Sequence, residues 1–226
     1  MADPANGRRL AAIAALFAVP MMALTLGLFI GGDLGVIFDP AQALAMSPDK
    51  IAMFQLSMWA DSFGYYLPVL IVGGYLWRQL REEGGATIDI AVLFLVLYVM
   101  LGIAGTSIQI VTLPVLAAAH TGGDDITLRA SEMSWRVVVE ACVNGLWRME
   151  GPTFAFWGIA TGLAMRAQGR KFGLLLCVVG LLYATTFVLG VYGAGQAEQT
   201  VQLIMLVALP LWMLLTGVAL LREKAG

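Results

Sequence analysis

A stripe of polar residues at helical spacing interrupts a chain that is otherwise strongly apolar. Its members follow one another at intervals of four residues: Arg136, Glu140, Asn144 and Arg148. Because each such step drifts by only about 40° around an α-helix, the four side chains share one face. Two arginines on one face can hold a carboxylate or a phosphate through paired hydrogen bonds. The stripe is therefore a candidate ligand-binding surface.

Two acidic residues are candidates for the same site. Asp61, in the segment MWADSFGYY, lies well inside an apolar run, and Glu150 directly precedes Gly151-Pro152. A charge inside a membrane costs about 3 kcal/mol on insertion scales unless it is paired or hydrated. Arg148 has the opposite charge, so the sequence predicts an Asp61–Arg148 ion pair. Glu150 is either a charge neighbour of the arginines or a general base.

Composition places these residues in a membrane protein. Of the 226 residues, 60% are hydrophobic and only 12% are charged, against about a quarter charged in an average soluble domain. The net charge of −2 gives no basic surplus, which argues against nucleic acid as a partner. Apolar runs of about 20 residues are long enough to cross a bilayer as helices. We expect an all-α integral membrane protein whose main partner is the lipid bilayer.

The residues that usually hold metals or cofactors are scarce. The chain has one histidine, His120, and two well-separated cysteines, Cys142 and Cys177, too few for the usual zinc, copper or haem sites. No lysine lies within an apolar run, which excludes a retinal Schiff base. Neither a nucleophile elbow nor a phosphate-binding loop is present. We therefore expect no metal and no cofactor.

The apolar runs predict a single six-helix membrane domain over residues 1–226. The predicted spans are 10–31, 52–77, 88–116, 151–165, 172–192 and 201–221. Nine of the thirteen basic residues fall on one side of these spans, which predicts that both termini are cytoplasmic, in the inner membrane of a bacterium. The segment 131–150 should be an outer amphipathic helix that leads into the fourth span.

Three local patterns refine the predicted helices. Pro152 lacks a backbone N–H, so we expect a kink or break over 148–152. Beyond it, Gly158, Thr161 and Gly162 predict a small-residue face for close helix packing. Before the second span, Ser47-Pro48-Asp49 is typical of a helix N-terminus.

Counting residues from the inner-face charges places the polar groups in one layer. Asp61, Gln109, Arg148, Glu150, Thr185 and Thr186 lie 14 to 20 residues from those charges, or about 21–30 Å along a helix. This is the outer half of the membrane. Trp59, Trp135 and Trp147 are expected at the outer boundary, where tryptophan is common.

The layer predicts a periplasm-facing polar pocket between the second, third and fourth helices. In this interpretation Arg136 and Arg148 hold an anionic group, and Asp61 and Glu150 balance charge or accept a proton. Glu140 is either a charge neighbour of the arginines or a general base. Asn144 and Gln109 add hydrogen bonds, and an apolar portion contacts the remaining residues of the predicted site: Trp59, Tyr65 and Trp147. The expected function is non-enzymatic, as a membrane-embedded binder or carrier of a small amphiphilic or anionic molecule such as a lipid-like one.

Other interpretations of the same residues stay open. The Asp61–Arg148 pair could simply lock two helices, and the stripe could be an amphipathic helix at the membrane surface. The protein could be an accessory subunit of a larger membrane complex, with the stripe as the docking face for a membrane-protein partner. It could also be an intramembrane enzyme with Asp61 and Glu150 as acid and base. A channel is least favoured, because nothing polar lines the inner half.

Overall fold

The structure is a computed structural model that describes residues 4–222, and within that range helices joined by short turns make up the chain, with no strand. A first long helix, α1 (Pro4–Gly31), is followed by a 3₁₀ turn (Leu34–Phe38) and the short helix α2 (Pro40–Leu44). The remaining α-helices are α3 (Pro48–Asp61), α4 (Leu67–Gly122), α5 (Asp125–Glu140), α6 (Glu150–Ala167), α7 (Gly173–Val191) and α8 (Gly195–Arg222). Two π-helical turns interrupt the chain, π1 (Ser62–Tyr66) and π2 (Ala141–Trp147).

Long apolar helices dominate this architecture. Within the described range, four continuous helical segments are long and apolar enough to cross a membrane: Asn6–Gly31, Pro48–Gly122, Gly173–Val191 and Gly195–Arg222. The second of these is folded back on itself, because Gly85 has φ +52° and breaks α4 into two arms. Such a φ suits glycine, which lacks a Cβ. The expectation of a helical membrane protein is confirmed at this level.

The start of α3 follows the capping pattern in the sequence. The Ser47 hydroxyl accepts a hydrogen bond from the backbone N–H of Lys50, and Pro48 occupies the first helical position. Asp124 caps α5 in the same way and accepts from the backbone N–H of Thr127 at 2.9 Å. This hydrogen bond is the main reason why the pKa of Asp124 lies below its ordinary value.

Helix α6 packs against α4 and, most extensively, α7. Its small residues allow α7 to approach closely. A Cβ added at Gly158 would meet the Gly180 Cα at 3.2 Å, and one at Gly162 would meet the carbonyl oxygen of Gly173 at 2.6 Å. Thr161 is buried between them. The predicted small-residue face is therefore confirmed as the contact between α6 and α7.

A second, smaller hydrophobic cluster forms around the 3₁₀ turn and α2. The 3₁₀ turn and α2 pack there against α3, α4 and α5, around the fully buried ring of Trp135. The Trp135 indole N–H donates to the carbonyl oxygen of Ile37 at 2.9 Å. The expectation that Trp135 lies at the lipid boundary was wrong. Tryptophan spacing cannot distinguish an interfacial ring from one covered by a folded loop.

The α6–α7 contact gives a first testable prediction. Gly162→Ala should lower the free energy of unfolding by about 1–3 kcal/mol, because the added methyl group meets backbone and the Cys177 sulfur. The matched control is Gly74→Ala in α4, where a Cβ meets nothing within 4 Å. That variant should be neutral or more stable by up to about 1 kcal/mol, since alanine favours helix. Unfolding in mixed micelles measures both, and equal stability of the two variants would contradict the close packing.

Candidate functional site

A half-enclosed cavity of about 260 Å³ lies inside the bundle. It is bounded by α1, α3, π1, α4, π2, α6, α7 and α8, so almost every long element contributes to its wall. The polar lining residues are Thr25, Asp61, Tyr65, Tyr66, Tyr98, Arg148, Glu150, Tyr183, Thr186, Glu198 and Gln202. The apolar lining residues include Met58, Trp147, Phe187, Met205 and Leu206. The cavity is therefore mixed in character, as small-molecule sites commonly are.

The two π-helical turns flank the charged residues of the cavity. Turn π1 begins directly after Asp61, and π2 ends directly before Arg148. A π turn widens the helix by one residue and is frequent at functional sites. Here it directs Tyr65, Tyr66 and Trp147 toward the interior. Gly64 allows π1 to lie against α1, because a Cβ there would come within 2.9 Å of the Met22 backbone nitrogen.

A carboxylate and several tyrosines form the deep part of the cavity. The Tyr66 hydroxyl donates to Glu150 Oε1 at 2.9 Å, and Glu150 is only 8% exposed. Asp61, at the end of α3, lies close enough to Glu150 and Tyr66 to interact with both electrostatically. The ring of Tyr66 rests on Gly102, where a Cβ would overlap it. Tyr66 therefore connects the acidic groups to α4.

The other two deep tyrosines form an ordered hydrogen-bond chain. The Tyr98 hydroxyl lies 3.1 Å from the carbonyl oxygen of Tyr65 and 3.2 Å from the Tyr183 hydroxyl. A carbonyl can only accept, so Tyr98 donates to Tyr65 and must accept from Tyr183. The rings pack with Phe154, which stacks on Tyr183 with centroids 4.1 Å apart. This aromatic wall fixes the hydroxyl positions.

Arg148 lies at the mouth of the cavity and is paired with Glu198. Its Nη1 atom is 3.4 Å from Glu198 Oε1, and its Nη2 atom donates to Asn144 Oδ1 at 2.6 Å. Asn144 in turn donates to Glu140 Oε2 at 2.6 Å. The guanidinium lies against Gly190, where a Cβ would overlap it. Three members of the polar stripe thus form one hydrogen-bonded row that ends in an ion pair with α8.

The expected Asp61–Arg148 ion pair was wrong. Among the residues that the structure describes, the ion-pair partner of Arg148 is Glu198. Both Asp61 and Arg148 line the cavity, but the prediction of their pairing was based only on counting residues along the helices. Such counting could not show rotation about the helix axis, nor that Gly190 leaves space for the guanidinium beside the first turn of α8.

Five of the ten predicted site residues line the cavity: Asp61, Tyr65, Trp147, Arg148 and Glu150. Of the others, Glu140 and Asn144 do not line the cavity. They are exposed, and Asn144 hydrogen-bonds to Glu140 in the row that ends at Arg148. The cavity also extends beyond the second, third and fourth spans, because α1, α7 and α8 supply part of its wall. The pocket predicted between three helices is thus shared by more of the bundle.

Three predicted residues point elsewhere. Trp59 is 50% exposed. It lies two residues before Asp61, and two residues along an α-helix correspond to a rotation of about 200°, so the two side chains point to nearly opposite sides of α3. Gln109 is buried beside the Cys142 thiol and does not reach the cavity. Arg136 is exposed near Asp39, whose pKa is lowered mainly by the backbone N–H of Gln42 and more weakly by Arg136. Arg136 and Arg148 therefore do not form one anion clamp.

Sequence reasoning missed Glu198 and three of the tyrosines. Tyr66, Tyr98 and Tyr183 are hydroxyl-bearing rings within apolar runs, and buried tyrosines usually find a hydrogen-bond partner. These three tyrosines within apolar runs were the available indication in the sequence of a polar interior. Glu198 lies before the predicted sixth span and resembled a surface residue of the preceding loop.

Comparisons with known proteins add no assignment. No protein-family model, no curated protein and no solved structure matches this chain. In residues 4–222, no group of three or more His, Cys, Asp or Glu side chains is placed to hold a metal ion. The site is therefore interpreted from its own geometry.

The Tyr66–Glu150 hydrogen bond gives a second prediction. Tyr66→Phe should lower the free energy of unfolding by about 1.5–3 kcal/mol, because it removes the donor to a buried carboxyl group. Tyr192→Phe is the matched control, since Tyr192 is 83% exposed, and it should change stability by less than about 0.5 kcal/mol. Thermal unfolding of the purified variants measures the difference. A Tyr66→Phe protein as stable as the control would contradict this role for the hydroxyl.

Proposed function

We propose that this protein is a membrane-embedded binder or carrier of a small amphiphilic molecule. The observation that supports the proposal is the cavity, which is lined by both polar and apolar side chains. The acids Asp61 and Glu150 lie at the end of α3 and the start of α6, and the apolar side chains of Met205 and Leu206 lie on α8. A ligand with one polar group and one apolar body fits such a wall, because each part meets its own kind of surface.

The proposed membrane arrangement follows from the order of the helices and the basic residues. We infer six crossings in a bacterial inner membrane, with both termini in the cytoplasm. The α4 break at Gly85 and the α6–α7 turn at 168–172 then face the cytoplasm. The turn between α7 and α8, beside Arg148 and Glu198, faces the periplasm, so the cavity opens outward.

In this arrangement one crossing is composite. Helix α5 and turn π2 enter from the periplasmic side, and the chain turns at Arg148–Met149 before α6 begins at Glu150. Helix α6 is less apolar than the four segments that qualify as spans by length and composition. Because α4 and α7 cover it, protein rather than lipid surrounds much of its surface. A span of this kind tolerates Glu150 and three glycines.

The binding proposal predicts that filling the cavity displaces the ligand. Thr186 lines the cavity, whereas its neighbour Thr185 points outward and is exposed. Thr186→Trp should remove a small molecule that copurifies with the wild type, and Thr185→Trp should retain it. Native mass spectrometry of the protein in mild detergent measures the bound mass. Gln202→Phe, at a cavity-lining position of α8, is a second filling variant in case Thr186→Trp does not fold.

Three results would contradict the binding proposal. They are an empty wild-type protein, a bound molecule that is equally retained in all variants, and a stoichiometric protein partner in place of a small molecule. The last result would instead support an accessory subunit of a membrane complex.

The topology gives a separate prediction. A green fluorescent protein fused after Gly226 should fluoresce, because that reporter folds in the cytoplasm. Alkaline phosphatase fused after Gly123 or Gly193 should be active, because that reporter requires the periplasm. The control is phosphatase fused after Gly85, which should be inactive. An active fusion at Gly85 would contradict the inferred orientation.

A further inference from the structure

The charges on the cavity wall do not balance. Three acidic residues line it, Asp61, Glu150 and Glu198, against one basic residue, Arg148. Arg148 is paired with Glu198 at the mouth, so the positive charge is already compensated. Asp61 and Glu150 therefore remain as two acidic groups without a basic partner on the wall.

The elements packed around these two acids supply hydroxyls and rings. Turn π1 contributes Tyr65 and Tyr66, α4 contributes Tyr98, and α7 contributes Tyr183. Helix α1 contributes Thr25, and α8 contributes Glu198 and Gln202. The only cation among all these groups is Arg148. A tyrosine hydroxyl can donate to a carboxylate, as Tyr66 does to Glu150, but it cannot neutralise it.

The aromatic residues of the wall are suited to a cation. The face of an aromatic ring is electronegative and attracts ammonium groups, most strongly for tryptophan and tyrosine. Trp147, Phe187 and four tyrosines line the same cavity as the acidic pair, although the rings of Tyr66 and Tyr183 also pack on Gly102 and Phe154. An anionic ligand would meet two acids of its own charge sign. This arrangement disfavours the anionic ligand that the two arginines had suggested.

We propose that the ligand is an organic cation, an ammonium group on an apolar body, and that it exchanges with a proton held by the Asp61–Glu150 pair. The inference rests on the proposed binding function and adds the charge of the ligand to it. On binding, the O–H bond of one protonated carboxyl group breaks and its electron pair stays on the oxygen. The proton leaves to water, and the carboxylate forms an ion pair with the ammonium group.

Proton exchange follows from the proximity of the acids. Two carboxylates that interact in a site poor in water share protons as one coupled unit, because two like charges there repel strongly. Asp61 and Glu150 are within electrostatic reach of each other, and Arg148 is engaged elsewhere. An arriving cation stabilises the doubly ionised pair, so cation and proton compete for one site. Such competition can couple transport of one to movement of the other.

The test uses a fixed-charge probe on the purified full chain. Benzyltrimethylammonium should bind, while the neutral neopentylbenzene, in which carbon replaces nitrogen, and the anion benzylphosphonate should bind about tenfold more weakly or not at all. Intrinsic fluorescence or calorimetry measures the affinities. Asp61→Asn and Glu150→Gln, which keep the side-chain shape, should each weaken cation binding by about tenfold or more.

The two mouth residues provide variants with opposite expected signs. Arg148→Gln should strengthen binding of benzyltrimethylammonium, because it leaves Glu198 as an additional uncompensated acid. Glu198→Gln should weaken binding, because it leaves Arg148 as an uncompensated cation. Both side chains are partly exposed, and circular dichroism of the two variants checks that the helical fold is kept. The reverse order of affinities, or preferred binding of benzylphosphonate, would overturn the cationic ligand.

Proton exchange is measured with the same probe. Benzyltrimethylammonium carries no proton of its own, so any pH change in a weakly buffered sample comes from the protein. Wild type should release up to one proton per cation bound, and its affinity should rise with pH as protons compete less. Asp61→Asn and Glu150→Gln should both reduce the release. A pH-independent affinity without proton release would overturn the exchange.

The outcomes separate this inference from the proposed function. If a copurified anion or neutral amphiphile is displaced by Thr186→Trp while benzyltrimethylammonium does not bind, the cavity is a binding site and the cationic ligand is wrong. If Thr186→Trp displaces nothing and no probe binds, both proposals fail together.

Discussion

The position of the Glu150 carboxyl group determines how the interior of this bundle is organised. It lies at the first turn of α6, buried, and accepts the Tyr66 hydroxyl across the interface with π1. That position requires α6 to lie close to its neighbours. Gly151 makes this possible, because a Cβ there would meet the Tyr183 carbonyl oxygen at 3.1 Å. Glycines of α6 thus have two roles, to bring α7 close and to hold an acid within the bundle.

The helices and their contacts were largely predictable, because they depend on features that are local in sequence. Long apolar runs specify helices wherever the surroundings cannot hydrogen-bond the backbone. The Ser47 cap and the Gly158–Gly162 face each need only a few neighbouring residues, and the structure confirms both. The 3₁₀ turn and α2 were not predicted. Their burial depends on Trp135, a residue almost a hundred positions away.

The site was predictable in depth and not in rotation. Counting along a helix gives height in the membrane, and Asp61, Arg148, Glu150 and Thr186 do share one cavity. Which side of the helix a residue faces depends on regular helical geometry, and the two π turns change that geometry beside the charged residues. Trp59 and Thr185, on regular stretches of α3 and α7, face outward although they lie within two residues of the cavity residues Asp61 and Thr186. The choice of Glu198 as partner of Arg148 depends on the space at Gly190, which no spacing along the chain reveals.

A membrane makes the contrast between the two ends of this cavity functionally important. At the mouth, the side chains of Arg148 and Glu198 are partly exposed, although the Arg148 Nη1 atom that faces Glu198 is buried. In the interior, the acids contact rings and hydroxyls, where a charge without a counter-ion is costly. That cost falls when a cation arrives or when a proton is bound. The interior therefore favours a bound proton or a bound cation. The Arg148–Glu198 pair at the mouth has no net charge, so it repels neither of them.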